Sequence, residues 1–189
     1  MEERRFGSTV AGYTGAGILP YCWKDGTLWI LLHKTLQGKK EGTFVDFGGW
    51  KEPNESDPLQ TAAREFSEET GGLLTTSNPE EDGDIISGLD SETLQKCEVV
   101  RRQTLRALHF LQSSQYDCLT AKSGYHMYVL EFPPISVEFV NKVFSTMKKK
   151  REFFLIGVDD FLSNRIPLYS RILAVEGLNQ TIQRIQHFK

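Results

Sequence analysis

Strands interleaved with helices along the 189-residue chain predict a fold of the α/β or α+β class. Three observations carry this expectation. Two runs rich in β-branched and aromatic residues, TVAGYTGAGIL (9–19) and TLWILLHK (27–34), lie on either side of Asp25-Gly26, a strong hairpin turn. A helix that carries its own start and stop signals follows at about 58–70. After it, the strand-like YHMYVLEF (125–132) alternates with amphipathic segments at 136–150 and 169–187.

In chain order, the first hairpin leads into a polar loop, QGKKEG (37–42), with two lysines. TFVDFGG (43–49) then reads as a short strand ended by a Gly-Gly break. Asp57-Pro58-Leu59-Gln60 supplies the next start: Asp at the N-cap, Pro at N1 and Gln at the capping-box position. Gly71-Gly72 supplies the stop. TTSNPEEDGD (75–84) is an acidic loop. Residues 90–112 are mostly compatible with a helix, although their mixed periodicity also allows a strand to begin in the later part. YDCLTA and YHMYVLEF, joined by KSG, form a second hairpin that Pro133-Pro134 ends. Apolar residues at 137, 139/140 and 143/144 predict a helix over 136–150. EFFLIGV (152–158) predicts a strand, and 169–187 a final helix. No internal repeat or linker divides the chain, so one domain over 1–189 is expected, with an insertion at about 73–115.

Composition narrows the function. With 39% hydrophobic and 25% charged residues, the chain can bury a core. A net charge of −3 and a pI near 5.8 supply no general attraction to nucleic acid or anionic lipid. Three cysteines, Cys22, Cys97 and Cys118, without a C-x-x-C pair, argue against a disulfide framework or zinc site and for a reducing compartment. The start, MEERRFGSTV, has no apolar core of a secretory signal, and no run approaches a membrane span. A cytoplasmic or nuclear protein is expected.

The chemistry concentrates in the helix at 58–70. At 100° per residue, Leu59, Ala62, Ala63 and Phe66 form one apolar stripe that should pack on the sheet. Glu65, Glu68 and Glu69 form a second stripe about a third of a turn away, and Arg64 stands one turn before Glu68. Three carboxylates repel one another, weakly in water and more strongly as water is excluded. They either decorate a solvated face or hold a hard divalent cation, which favours carboxylate and phosphate oxygens.

From Gly48 the sequence reads GGWKEPNESDPLQTAAREFSEETGG, which closely resembles the Nudix box of hydrolases acting on nucleoside diphosphates linked to another group. Gly49, five residues and Glu55 match, as does Arg64-Glu65-Phe66-Ser67-Glu68-Glu69-Thr70-Gly71 in order. The match covers some 24 residues. Two departures stand out: eight residues rather than seven separate Glu55 from Arg64, and Gly72 replaces an apolar residue.

The resemblance implies an α/β/α sandwich around a mixed sheet. It implies that Glu65 and Glu69 are principal Mg²⁺ ligands, with Mn²⁺ a substitute, that Glu68 is a ligand or water-activating group, and that the Gly48 carbonyl is a further ligand. Arg64 would orient the glutamates, and Glu55 would support Arg64 or the metal site. Lys34 and Lys51 are the expected substrate contacts. A general base outside the box could be Glu98, Glu131 or Glu152. The implied reaction is attack of water on a pyrophosphate link of a nucleoside diphosphate derivative. Capped RNA or inositol pyrophosphate as a bulkier substrate, or a binding module without turnover, are the alternatives. The partner is thus a small phosphate-rich molecule, with nucleic acid less favoured and no membrane.

Overall fold

The structure is a computed structural model that describes residues 12–36, 40–72, 74, 93–134, 136–145 and 151–188, with the side chains of 93–100 left aside. The expected strand start at 9–11, the loop residues 37–39, the acidic loop 75–84 and the lysines at 148–150 lie outside the described residues.

The first hairpin pairs β1 (Gly15–Lys24) with β2 (Thr27–Thr35). Asp25 and Gly26 both take positive φ, 52° and 74°, as a two-residue primed turn demands. β1 therefore begins later and runs further than TVAGYTGAGIL suggested. Beyond the Tyr21–Ile30 pair the two strands diverge, and Pro20, with no N–H for a ladder, lies where they part. TFVDFGG fills the fork as two strands rather than one. β3 (Phe44–Val45) pairs with β2, and β4 (Phe47–Trp50) pairs with β1, with Asp46 between them.

The second hairpin is β5 (Tyr116–Thr120) and β6 (Tyr125–Glu131), and β6 runs parallel to β1. β7 (Arg151–Gly157) pairs antiparallel with β2. The result is a seven-stranded mixed sheet in the order β3-β2-β1-β6-β5, with β4 on β1 and β7 on β2.

Alternation along the strands divides the core between two faces. Ile18, Phe47, Tyr128, Leu130 and Phe153 face one side. There they meet Leu59, Ala62, Ala63 and Phe66 of α1 (Pro58–Thr70), Ala107 and Leu111 of α2 (Thr93–Ser113), and Val140 and Phe144 of α3 (Val137–Ser145). Leu19, Ile30, Leu32, Met127 and Val129 face the other side. They are covered by Phe161 of α4 (Val158–Leu162), Ile172 of α5 (Ser170–Leu173), and Leu178 and Ile182 of α6 (Leu178–His187). Helices on both faces of a mixed sheet make an α/β/α sandwich. The helix expected at 169–187 is interrupted, because Gly177 adopts φ 73° and restarts the chain as α6. α2 is helical through Ser113, so no strand begins within it. Among the described residues, no helix is long and apolar enough to cross a membrane.

Candidate functional site

Helix α1 is fixed at both ends by local chemistry. Asp57 Oδ1 accepts the Leu59 N–H at 2.8 Å, and Pro58 occupies N1. Gln60 closes its box one residue early, accepting the Ser56 N–H at 3.2 Å. At the far end Gly71 and Gly72 both take left-handed φ, 60° and 76°. A side chain at Gly72 would also collide with Gln103 of α2, so the absence of an apolar residue here follows from how closely α2 approaches.

With its apolar stripe on the sheet, α1 turns its acidic stripe toward β4 rather than into bulk water. Glu69 is buried, Glu65 is 16% exposed at its side chain and Glu68 36%. The Glu65 carboxylate lies against the Cα of Gly49, where a Cβ would overlap it. The Gly48 N–H donates to Glu69 Oε2 at 2.8 Å. Gly49 thus lets the β4 backbone approach Glu65, and the Gly48 N–H holds Glu69, while a Cβ at Gly48 would meet Tyr125 and Gly17 instead.

Arg64 braces this arrangement. Its Nε donates to Glu55 Oε1 at 2.8 Å, Nη1 to Glu65 Oε1 at 2.8 Å and Nη2 to the Trp50 carbonyl at 2.8 Å, while Glu68 Oε2 stands 3.6 Å from Nη1. Glu55 reaches Arg64 across the longer spacing between them. Its Oε2 also accepts the Glu52 N–H at 2.8 Å and the Thr61 hydroxyl at 2.6 Å. Burial would push the Glu55 carboxyl up, but hydrogen bonds from Arg64, the Glu52 amide and Thr61 outweigh it and hold the group below its ordinary value. Glu65 moves the other way. Burial raises it, and the Glu69 and Glu68 charges add to that against the pull of Arg64.

Glu69 has partners that sequence reasoning missed. Arg151 Nη1 lies 3.0 Å from its Oε1, and His33 Nε2 lies 3.5 Å from its Oε2. Burial alone would raise Glu69; the basic neighbours His33, Arg151 and Arg171 outweigh it and hold the carboxyl low. His33 is buried against Phe47 and Phe153, and neither ring nitrogen has a hydrogen-bond partner among the described residues. The local signal is a lone histidine closing the apolar run LWILLH (28–33). Its alternate neighbour Lys34 faces away, its ammonium 5.6 Å from the centre of the Phe44 ring on the sheet face that carries α4–α6. Lys34 thus leaves the sheet on the face opposite the box helix, apart from the acidic stripe. Lys51 is exposed, 4.3 Å above the Tyr13 ring. Of the outlying base candidates, Glu131 pairs with Tyr21, four residues along β1 from the Gly17–Gly48 pair, roughly 13 Å away. Glu152 pairs with Lys34 across the strands. The Glu98 side chain lies outside those described.

Could these residues hold a divalent cation? The donor set fits, being three carboxylates within one helical turn beside a glycine backbone that admits Glu65. The raised Glu65, buried among like charges, is what a cation would relieve. Their present partners are protein cations, Arg64 on Glu65 and Arg151 on Glu69. Among the described residues no three acidic, histidine or cysteine side chains converge as a ready-made metal cluster.

No known family profile matches the chain. A stretch of 61 residues, 31% of the chain, is 43% identical to an uncharacterized protein of Acanthamoeba polyphaga mimivirus and spans 20% of that protein's length. Among solved structures the chain is similar to a mutT/nudix family protein from Listeria innocua, at 18% identity and TM-score 0.48, over 94% of this chain and 93% of that one. It is also similar to a C. elegans Ap4A hydrolase in a binary complex, at 13% identity and TM-score 0.46, over 92% and 96% of the two chains. A Nudix hydrolase from M. smegmatis aligns at 17% identity and TM-score 0.42, over 92% and 84%. These likenesses carry no residue roles to this chain.

Proposed function

We propose that the chain is a Nudix-type hydrolase that depends on Mg²⁺ or Mn²⁺ and cleaves a pyrophosphate linkage in a nucleoside diphosphate derivative. One observation carries the reading. The apolar stripe of α1 seats the helix so that Glu65 and Glu69 face the Gly48–Gly49 backbone, while Arg64, locked by Glu55, stands beside Glu65 and Glu68. A merely solvated acidic face would leave these carboxylates in water.

In this reading Glu65, Glu68, Glu69 and the Gly48 carbonyl hold the metal, which supplies charge neutralisation for the phosphates and a lower pKa for water at the site. Glu68, the most exposed of the three, accepts the proton of the attacking water. Arg64 keeps Glu65 and Glu68 oriented, and Glu55 keeps Arg64 from turning away. Lys51, exposed beside the box loop, meets the phosphates of the substrate.

The test is phosphate-coupled release from a panel of nucleotide sugars, dinucleoside polyphosphates, ADP-ribose and oxidised nucleotides with Mg²⁺, wild type against Glu68→Gln. The expected loss is of order 10²–10⁴. Equal rates would remove Glu68 from the mechanism, and no hydrolysis of any substrate would remove the reading.

A further inference from the structure

Directly beside Gly49, on the far side of β4 from the acidic helix, lies a cleft of about 350 Å³ whose lining includes Lys40, Trp50, Tyr125, Tyr169 and Arg171. Its size falls within the roughly 300–1,000 Å³ of small-ligand clefts. Of its lining, only Gly49 and Trp50 belong to the box.

The walls are held rigidly. Tyr169 donates its N–H to the Phe44 carbonyl at 2.9 Å, and Phe44 donates to the Pro167 carbonyl at 2.9 Å, tying this segment to β3. Arg171 is fixed by Asp46, the fully buried residue in the fork, with Nη2 at 2.7 Å and Nε at 3.1 Å from Oδ1. Asp46 also accepts the Tyr125 hydroxyl at 2.6 Å, and the guanidinium lies 4.6 Å from the Tyr125 ring centre. Asp46 thus balances Arg171.

Lys40 has no such ion pair among the described residues. Its half-buried ammonium stands 4.8 Å from the Tyr169 ring centre. Burial and the nearby Arg171 charge lower its proton affinity against the weaker pull of Glu69 and Asp46, a balance that an anion placed beside it would shift back. At the other edge Trp50 is 77% exposed although its backbone is fixed, since it ends β4 opposite Gly15 and its carbonyl is held by Arg64. An open indole on a fixed backbone and a cation without an ion pair among the described residues, in one cleft, match a ligand with an aromatic ring at one end and a phosphate at the other.

We propose that this cleft is the subsite for the nucleoside monophosphate half of the substrate, with Trp50 stacking on the base and the Lys40 ammonium, steadied over Tyr169, taking a phosphate. The assignment rests on the hydrolase reading above for the other half of the substrate, which would reach the acidic helix across Gly49.

The test is calorimetric binding of AMP, GMP, CMP and UMP to the full chain without metal. Adenosine and ribose 5-phosphate serve as half-ligands. Lys40→Met should weaken mononucleotide binding about tenfold or more, leave adenosine unchanged and be restored in large part by Lys40→Arg. Trp50→Ala should weaken mononucleotides and adenosine by about tenfold and leave ribose 5-phosphate unchanged. Absence of saturable binding for all four mononucleotides, or binding that neither variant moves, overturns the subsite. If the variants behave as stated while no nucleotide is hydrolysed, the subsite stands and the hydrolase reading falls. If hydrolysis proceeds with KM unmoved by either variant, the reverse holds.

Discussion

Glu55→Gln probes whether Arg64 is locked as described. The Glu55 carboxylate is 8% exposed and accepts from Arg64 Nε at 2.8 Å, Arg64 Nη2 at 3.3 Å, the Glu52 N–H at 2.8 Å and the Thr61 hydroxyl at 2.6 Å. A glutamine presents an NH₂ to one of these donor sets, and the charge assistance is lost. Removing one partner of a buried ion pair costs about 3–5 kcal/mol. Arg64 keeps Glu65 and the Trp50 carbonyl, which places the loss at the lower end, about 3 kcal/mol. For a chain of this size that is a fall in Tm of roughly 6–12 °C. The pH dependence follows from the depressed carboxyl. A group held below its ordinary value contributes stability that is full above the unfolded value, near 4.5, and is lost as pH falls through the folded one. Urea unfolding of wild type and Glu55→Gln at pH 7 and at stepwise lower pH measures the gap. It should be largest at pH 7 and close on acidification. A gap under about 1 kcal/mol at pH 7, or one that does not shrink in acid, refutes the bracing of Arg64 by Glu55.

Two other substitutions test the geometry of the site. Gly49→Ala places a Cβ on the Glu65 carboxylate and should weaken Mn²⁺ binding by about 10–100-fold in a calorimetric titration, with urea unfolding as the control for folding. Gly72→Leu restores the apolar residue of the Nudix pattern but forces it into left-handed φ against Gln103. It should destabilise the fold by at least about 1–2 kcal/mol, and an unchanged unfolding midpoint would contradict that packing.

The parts of the molecule set by neighbouring residues could be read from the sequence. Asp57, Pro58 and Gly71 bound α1 through bonds within a turn of themselves, and the four apolar residues of its stripe needed only the 3.6-residue period to find the sheet. Asp25-Gly26 set the first hairpin in the same way. Features that depend on distant partners could not be read. Asp46 lies within TFVDFGG, which the sequence presents as a single strand; it marks the fork between β1 and β2, and its partners Tyr125 and Arg171 are 79 and 125 residues away. Glu69 was grouped with its helical neighbours, yet it is buried because His33 and Arg151, on two paired strands, reach it. The family resemblance points to Lys34 at the end of β2, and only the side-chain contacts show that His33, not Lys34, faces the box helix. The break in the last helix turned on Gly177, whose left-handed φ a tolerated helical glycine would not have shown.

The central claim is that the carboxylates of α1 hold a divalent cation beside Gly48 and Gly49. Its most direct measurement is an EPR titration of Mn²⁺ into the wild-type chain and into Glu65→Gln, Glu68→Gln and Glu69→Gln, with a non-hydrolysable nucleoside diphosphate present. Saturable binding that each substitution weakens by about tenfold or more is the predicted result. No bound Mn²⁺ at millimolar concentration, or binding that survives all three substitutions together, would contradict it.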